Sequence, residues 1–182
     1  MRVYGGGLTT YAAHSFDFAL YEQPLNSKDG VIGISHRGNK LYTQDSLKRA
    51  RKAGCYTALI TGEGIDTSAI NSDISFHTVA QEKSSAHTVS YVGAITVLAS
   101  LAESLGYHRT GKRLLPDSFL SEEIPKALRA SLPDSFLSEE IPKALRASME
   151  TESEMAHLAR KHLNRRRLWL VVVVQVLSLL RK

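Results

Sequence analysis

Short unbroken apolar runs alternate with longer apolar stripes through the first half of the chain. Val31-Ile32-Gly33-Ile34 is entered through Lys28-Asp29-Gly30 and left through Ser35-His36-Arg37-Gly38-Asn39, the pattern of a buried strand between turns. From Leu41 to Ala53, Leu41, Leu47, Ala50 and Ala53 form an apolar stripe with Lys48, Arg49, Arg51 and Lys52 on the exposed side, and Gly54 stands where a helix C-cap belongs. Cys55 to Thr61 is a second buried-strand run, stopped by Gly62-Glu63-Gly64. Strand, helix and strand over about 30 residues make a βαβ unit, with parallel strands and a right-handed crossover. Ile74 to Val79 predicts a third strand. Ala86 to Leu105 predicts a long helix with Val89, Val92, Val97, Leu98, Leu101 and Leu105 in its core and Gly106 closing it. Tyr11 to Tyr21 fits either a strand or a short helix. The pattern predicts an α/β fold, a three-layer domain of short parallel strands over residues 1–112.

The second half is organised differently. LPDSFLSEEIPKALRAS fills Leu115–Ser131 and recurs unchanged at Leu132–Ser148. Solenoid repeats drift and are seldom this short, so the pair reads as a recent tandem duplication or a sequence-level artefact. Pro125 and Pro142 should break each copy into two short helical pieces. Together with an amphipathic stretch from Glu150 to Leu163, this predicts a helical linker over 113–164. After Arg165-Arg166-Arg167, the apolar run Leu168–Leu180 contains Gln175 and Ser178 and is 13 residues long. That is short of the ~20 residues a bilayer span needs, so no membrane partner is expected. Its four consecutive valines favour a buried parallel strand within 165–182.

Composition narrows the class. With 182 residues, 43% hydrophobic and 23% charged, the chain can bury one real core, which excludes a disordered tail or a collagen-like chain. Cys55 has no partner within the chain, so a disulfide framework is excluded and a reducing cytoplasm is the expected setting. The opening MRVYGGGLTT lacks the apolar run of a secretory signal. The net charge of +5 suggests nucleic acid until it is located. Seven Lys or Arg follow Glu154 without an acid, leaving 16 basic against 18 acidic residues before them. The body is near −2, and a basic nucleic-acid face on it is not expected.

Two segments could carry chemistry. Ser35-His36-Arg37-Gly38-Asn39-Lys40 joins a strand's C-terminal end to a helix N-terminus, the edge at which open α/β sheets bind ligands. Backbone N–H groups and the helix dipole favour an anion there, Ser35 and Asn39 add donors, and Arg37 and Lys40 add charge. The bland alternative is a solvated turn before a basic helix. Gln81-Glu82-Lys83-Ser84-Ser85-Ala86-His87-Thr88 also lies between a strand and a helix. Glu82 and His87 could shuttle a proton, whereas a Glu82–Lys83 surface pair, a first-turn His87 and a Ser84 or Ser85 cap explain the same residues structurally. No dinucleotide fingerprint, metal-ligand spacing or Gly-x-Ser-x-Gly elbow is present, so no cofactor is expected.

VIGISHRGNKLYTQDSLKRARKAGCYTALITG followed by SDISFHTVAQEKSSAHTVSYVGAITVLASLA resembles the sugar isomerase (SIS) domain, whose loops read Ser-x-Ser-Gly-x-Thr and Glu-x-x-x-Ala-Ser-Thr-Lys. Glu82, Ala86 and Thr88 match the second motif, His87 stands where serine is usual, and the first motif carries Arg37 and Lys40 in place of two hydroxyls. The resemblance covers residues 28–105. It implies a flavodoxin-like sheet, N-terminally compressed because Gly5-Gly6-Gly7-Leu8-Thr9-Thr10 is at best a remnant of the family's opening strand. It also implies a sugar-phosphate partner, with phosphate held by Ser35, His36, Arg37, Gly38, Asn39 and Lys40. Sugar contacts would come from Thr61, Ser84, Ser85, Ala86 and Thr88, and acid/base groups from Glu82 and His87. Family members are often tandem pairs whose second domain supplies the principal base. On that pattern Leu168–Val174 is the first strand of a truncated second domain, and little isomerase activity is expected. A homodimer would supply two copies of the first site and none of the second. The rival is a non-enzymatic sugar-phosphate sensor.

Overall fold

A computed structural model describes residues 3–21, 23–70, 72–80, 88–116, 122, 152–161 and 167–172. The elements are β1 (Thr9–His14), α1 (Ser15–Leu20), β2 (Asp29–Ile34), α2 (Leu41–Lys52), β3 (Tyr56–Glu63), β4 (Ile74–Ala80), α3 (Thr88–Thr110), α4 (Glu152–Lys161) and β5 (Arg167–Val172). These strands form one sheet in the order β1-β5-β2-β3-β4, and every pairing is parallel. This is the expected α/β, flavodoxin-like arrangement. In the flavodoxin order 2-1-3-4-5 the first strand fills the slot beside the third; here the C-terminal β5 fills it.

All six residues of β2 are buried, which is why its sequence runs apolar without alternating. Gly33 lets α2 settle onto β2, because an added Cβ would lie 3.0 Å from Thr43 Cγ2 and 3.1 Å from Leu47 Cδ1. Phe18, Val31, Leu47, Ala50, Cys55, Leu59, Trp169 and Val171 share one buried cluster. Phe18 meets Trp169 edge-on at 5.6 Å between ring centroids, and Tyr11 stacks on Trp169 at 4.7 Å across the β1–β5 register. Fully burying a side chain such as Phe18 or Leu47 is worth about 1.5–3 kcal/mol, so α1, α2 and β5 are bound to one core.

Three expectations change. Tyr11–Tyr21 is both alternatives in succession, a strand and then a helix, with the Phe16 N–H donating to His14 Nδ1 at 3.2 Å where one becomes the other. α3 does not stop at Gly106 but runs to Thr110. A Cβ at Gly106 would collide with the Tyr4 carbonyl oxygen, so this glycine answers to packing and not to helix termination. The C-terminal strand expected to open a second domain is a central strand of this sheet in its described part. β5 pairs with β1 on one side and β2 on the other. Arg167, at its start, donates from Nε to Asp29 Oδ1 at 3.0 Å and from Nη2 to Asp29 Oδ2 at 2.8 Å. Nη2 also donates to the Pro24 carbonyl. Asp29 is fully buried and accepts the Asn26 N–H as well, and its hydrogen bonds raise the Arg167 pKa above the ordinary guanidinium value.

The chain divides into two units, residues 8–81 with 164–182 and residues 1–7 with 82–163. The sheet, α1 and α2 make up the first. α3, which the sequence pattern places in the opening domain, belongs to the second, where α4 packs against it. Met155, Leu158 and Ala159 form the buried face of α4 at helical spacing. Arg109, on α3, donates to the Gly6 carbonyl at 3.2 Å. By length and composition Val89–Thr110 could cross a membrane, but 67% of that apolar window is buried within the protein, as in a core helix. The two repeat copies lie outside the described residues apart from Leu115, Pro116 and Glu122.

Candidate functional site

The β2–α2 loop leaves the sheet at the C-terminal ends of the strands and is clamped to β3. Ser35 N–H donates to the Ile60 carbonyl at 3.0 Å, extending the β2–β3 pairing by one residue. The His36 carbonyl accepts twice, from Gly62 N–H at 2.8 Å and from Thr61 Oγ1 at 3.2 Å. The loop then reverses, with Gly38 N–H donating to the Ser35 carbonyl at 2.9 Å. Gly38 has φ +65°, and a Cβ on it would lie 2.8 Å from Ile65 Cγ2, so both conformation and space select glycine. Gln44 reaches back from α2 and donates from Nε2 to the Gly38 carbonyl at 2.8 Å. The Lys40 carbonyl receives the Thr43 and Gln44 N–H groups at 3.0 and 3.1 Å, while its own side chain forms no helix cap.

With the backbone held in this way, two hydroxyls are left over. Ser35 Oγ and Thr43 Oγ1 are buried and have no hydrogen-bond partner among the described residues, in side chains of residues only 3% and 1% exposed. Alternation along β2 places Ser35 on the same side as Val31 and Gly33, the side α2 covers, and Thr43 lies in the first turn of α2. Both therefore stand at the helix N-terminus. Arg37, Asn39 and Lys40 are exposed, and among the described residues neither cation forms an ion pair. No acid occurs from Ser35 to Gln44. The supporting turn after β3 contains Asp66, whose pKa is lowered by hydrogen bonds from Ser68, including the backbone N–H at 2.9 Å.

The structure thus brings Ser35, His36, Arg37, Gly38, Asn39, Lys40 and Thr61 together. Thr61 serves as a clamp between strands. Buried, it donates to the His36 carbonyl, while its own carbonyl accepts from Thr78 Oγ1 at 3.1 Å. Glu82, Ser84, Ser85, Ala86 and His87 lie outside the described residues, and Thr88 is the first residue of α3. Sequence reasoning does not single out Thr43 and Gln44. Their signal is position alone, three and four residues beyond Lys40 in the first turn of the helix that follows the loop. Among the described residues no three His, Cys, Asp or Glu side chains are grouped so as to hold a metal ion.

Two curated relatives resemble part of the chain. It is 32% identical over 100 residues to a glutamine–fructose-6-phosphate aminotransferase (isomerizing) from Aquifex aeolicus, covering 53% of this chain. It is 34% identical over 94 residues to the enzyme of the same name from Mesorhizobium japonicum, covering 51% of this chain. The matched part spans only 16% of either relative. No protein-family model and no solved structure matches the chain.

Proposed function

We propose that the sheet unit is a cytoplasmic, SIS-type sugar-phosphate-binding domain with Ser35–Lys40 as its phosphate loop. The carrying observation is the pair of buried hydroxyls of Ser35 and Thr43, without hydrogen-bond partners among the described residues, at the N-terminus of α2, on the sheet edge where α/β folds bind ligands. A phosphate would meet these hydroxyls, the helix dipole and the two cations of Arg37 and Lys40. Support also comes from the two relatives, whose names give fructose 6-phosphate as a substrate. In this reading Thr61, Gly62 and Gln44 hold the loop and do not touch ligand. Calorimetry with fructose 6-phosphate and glucose 6-phosphate tests the reading: Arg37→Ala and Lys40→Ala should each weaken binding several-fold. Unchanged affinity in both variants would remove the phosphate from this loop.

A further inference from the structure

We infer that a separate small-molecule site lies at the opposite end of the sheet, a cleft over the N-terminal ends of β1 and β5 that takes an uncharged sugar ring. α1, the helix on this face, is too short to cover it. Its six residues make about 9 Å of helix, against about 20 Å for the six residues of β1. It starts at the C-terminal end of β1, lays Phe18 on Trp169 and ends two residues later. Thr9 and Tyr11, on the same side of β1, are left exposed, and with Asn26 and Arg167 they line a cavity of about 410 Å³. That volume suits a small molecule. The strand register assembles the lining: Thr9 stands opposite Arg167 and Tyr11 opposite Trp169, while Asn26 comes from the turn into β2.

The chemistry of the lining selects the ligand. Arg167 brings a positive charge, but the fully buried Asp29 matches it at 2.8 Å, so the four lining residues and Asp29 together carry no net charge. The groups left to a ligand are, among the described residues, the Thr9 and Tyr11 hydroxyls and Asn26 Nδ2; Asn26 Oδ1 is taken by the Lys28 N–H at 2.8 Å. Two hydroxyls that donate and accept, beside an amide donor, suit a ring that carries several hydroxyls of its own. Tyr11 stacks one face on Trp169 at 4.7 Å and is 43% exposed, which leaves ring surface for the C–H face of a sugar. Thr9, Tyr11 and Asn26 are exposed, so, unlike the buried hydroxyls of Ser35 and Thr43, they cost the fold nothing when the cleft is empty. The site does not depend on the phosphate-loop reading, because the length of β5, about 20 Å, separates the two ends.

Titration calorimetry on the full chain, followed in parallel by the emission of Trp169, the chain's single tryptophan, tests this with methyl glucoside, N-acetylglucosamine, glucuronate and adenine. None of these carries phosphate, so the loop at the other end is not at stake. The two uncharged sugars should bind saturably and shift the Trp169 emission, and glucuronate and adenine should bind no more tightly than they do. Thr9→Val, a change at an exposed position that should leave the melting temperature unchanged, should weaken sugar binding about fivefold, as expected for one lost hydrogen bond. Tyr11→Leu should weaken it at least as much. No saturable binding of either uncharged sugar would overturn the site. Glucuronate or adenine binding more tightly than both sugars would overturn the ligand class. Sugar binding that leaves the Trp169 emission unmoved and survives Thr9→Val would put the sugar outside this cleft and overturn the inference.

Discussion

At the N-terminal ends of β2, β3 and β5, polar groups are used up by one another. Asp29 takes both arms of Arg167 and the Asn26 N–H. Asp73 takes the Thr57 N–H and hydroxyl, both at 2.8 Å, with Arg51 3.6 Å away. At the C-terminal ends of β2 and β3 the backbone is equally well tied, yet two buried hydroxyls and two exposed cations are left without partners among the described residues. Leaving a buried polar group unsatisfied costs about 1–3 kcal/mol. The Asp29 and Asp73 groups avoid that cost at one end, while Ser35 and Thr43 carry it at the other. Unmatched polarity on a well-ordered scaffold therefore marks the end at which a ligand would be stabilising.

The comparison breaks most readily at Asp29. Asp29→Ala leaves Arg167 without its carboxylate, and because Arg167 keeps some access to water the expected loss is about 3 kcal/mol, the low end for a broken buried pair. Urea denaturation measures it, and the double change Asp29→Leu with Arg167→Met should recover most of the loss. A cost below about 1 kcal/mol would mean that the paired end is no anchor. Gly38→Ala comes next, at about 2 kcal/mol, from a positive φ and the contact with Ile65. Unlike the first change, it should also abolish ligand binding.

Two hydroxyl deletions sharpen the contrast directly. Thr57→Val should cost about 1–1.5 kcal/mol in thermal melts, since the Asp73 carboxylate loses a donor. Ser35→Ala should instead stabilise the protein by about 1 kcal/mol, because it removes a buried hydroxyl that has no partner among the described residues, while weakening phosphate binding. Equal costs for the two would erase the distinction between the ends. The smallest effect is expected at Asp66. Its native pKa is lowered from 3.8 by Ser68, so its contribution is present above about pH 3.8 and is lost as the pH falls through the lower native value. The melting difference between Asp66→Ala and the parent should therefore vanish in acid.

β2, α2, β3 and β4 are legible in the sequence because each is a local pattern bounded by turn residues. Their boundaries agree with the structure to within two residues; the exceptions among the elements of this half are the C-terminal end of α3 and the Tyr11–Tyr21 segment, which is a strand and then a helix where the sequence fits either. Gly106 misleads there because its role is non-local: it makes room for Tyr4. The place of β5 is illegible for the same reason. Four valines announce a buried strand but do not say in which sheet. At the site, residue types point to Ser35–Lys40, whereas the role of Thr61 as a clamp and the orphaned state of Ser35 and Thr43 depend on contacts between β2, β3 and α2. Those contacts have no sequence signature.

The slot filled by β5 has a consequence in time. Among the described residues β1 pairs only with β5, so Thr9–His14 has no described strand beside it until Arg167–Val172 has been made. At 5–20 residues per second, the interval is about 10–30 s of synthesis. During it β2, β3 and β4 can assemble on the ribosome, while one side of β2 stays open beside a stranded N-terminal segment. Closing the gap then requires a contact spanning most of the chain, the kind that slows folding and exposes strand edges to other chains. Among the described strands, the last to emerge locks the first.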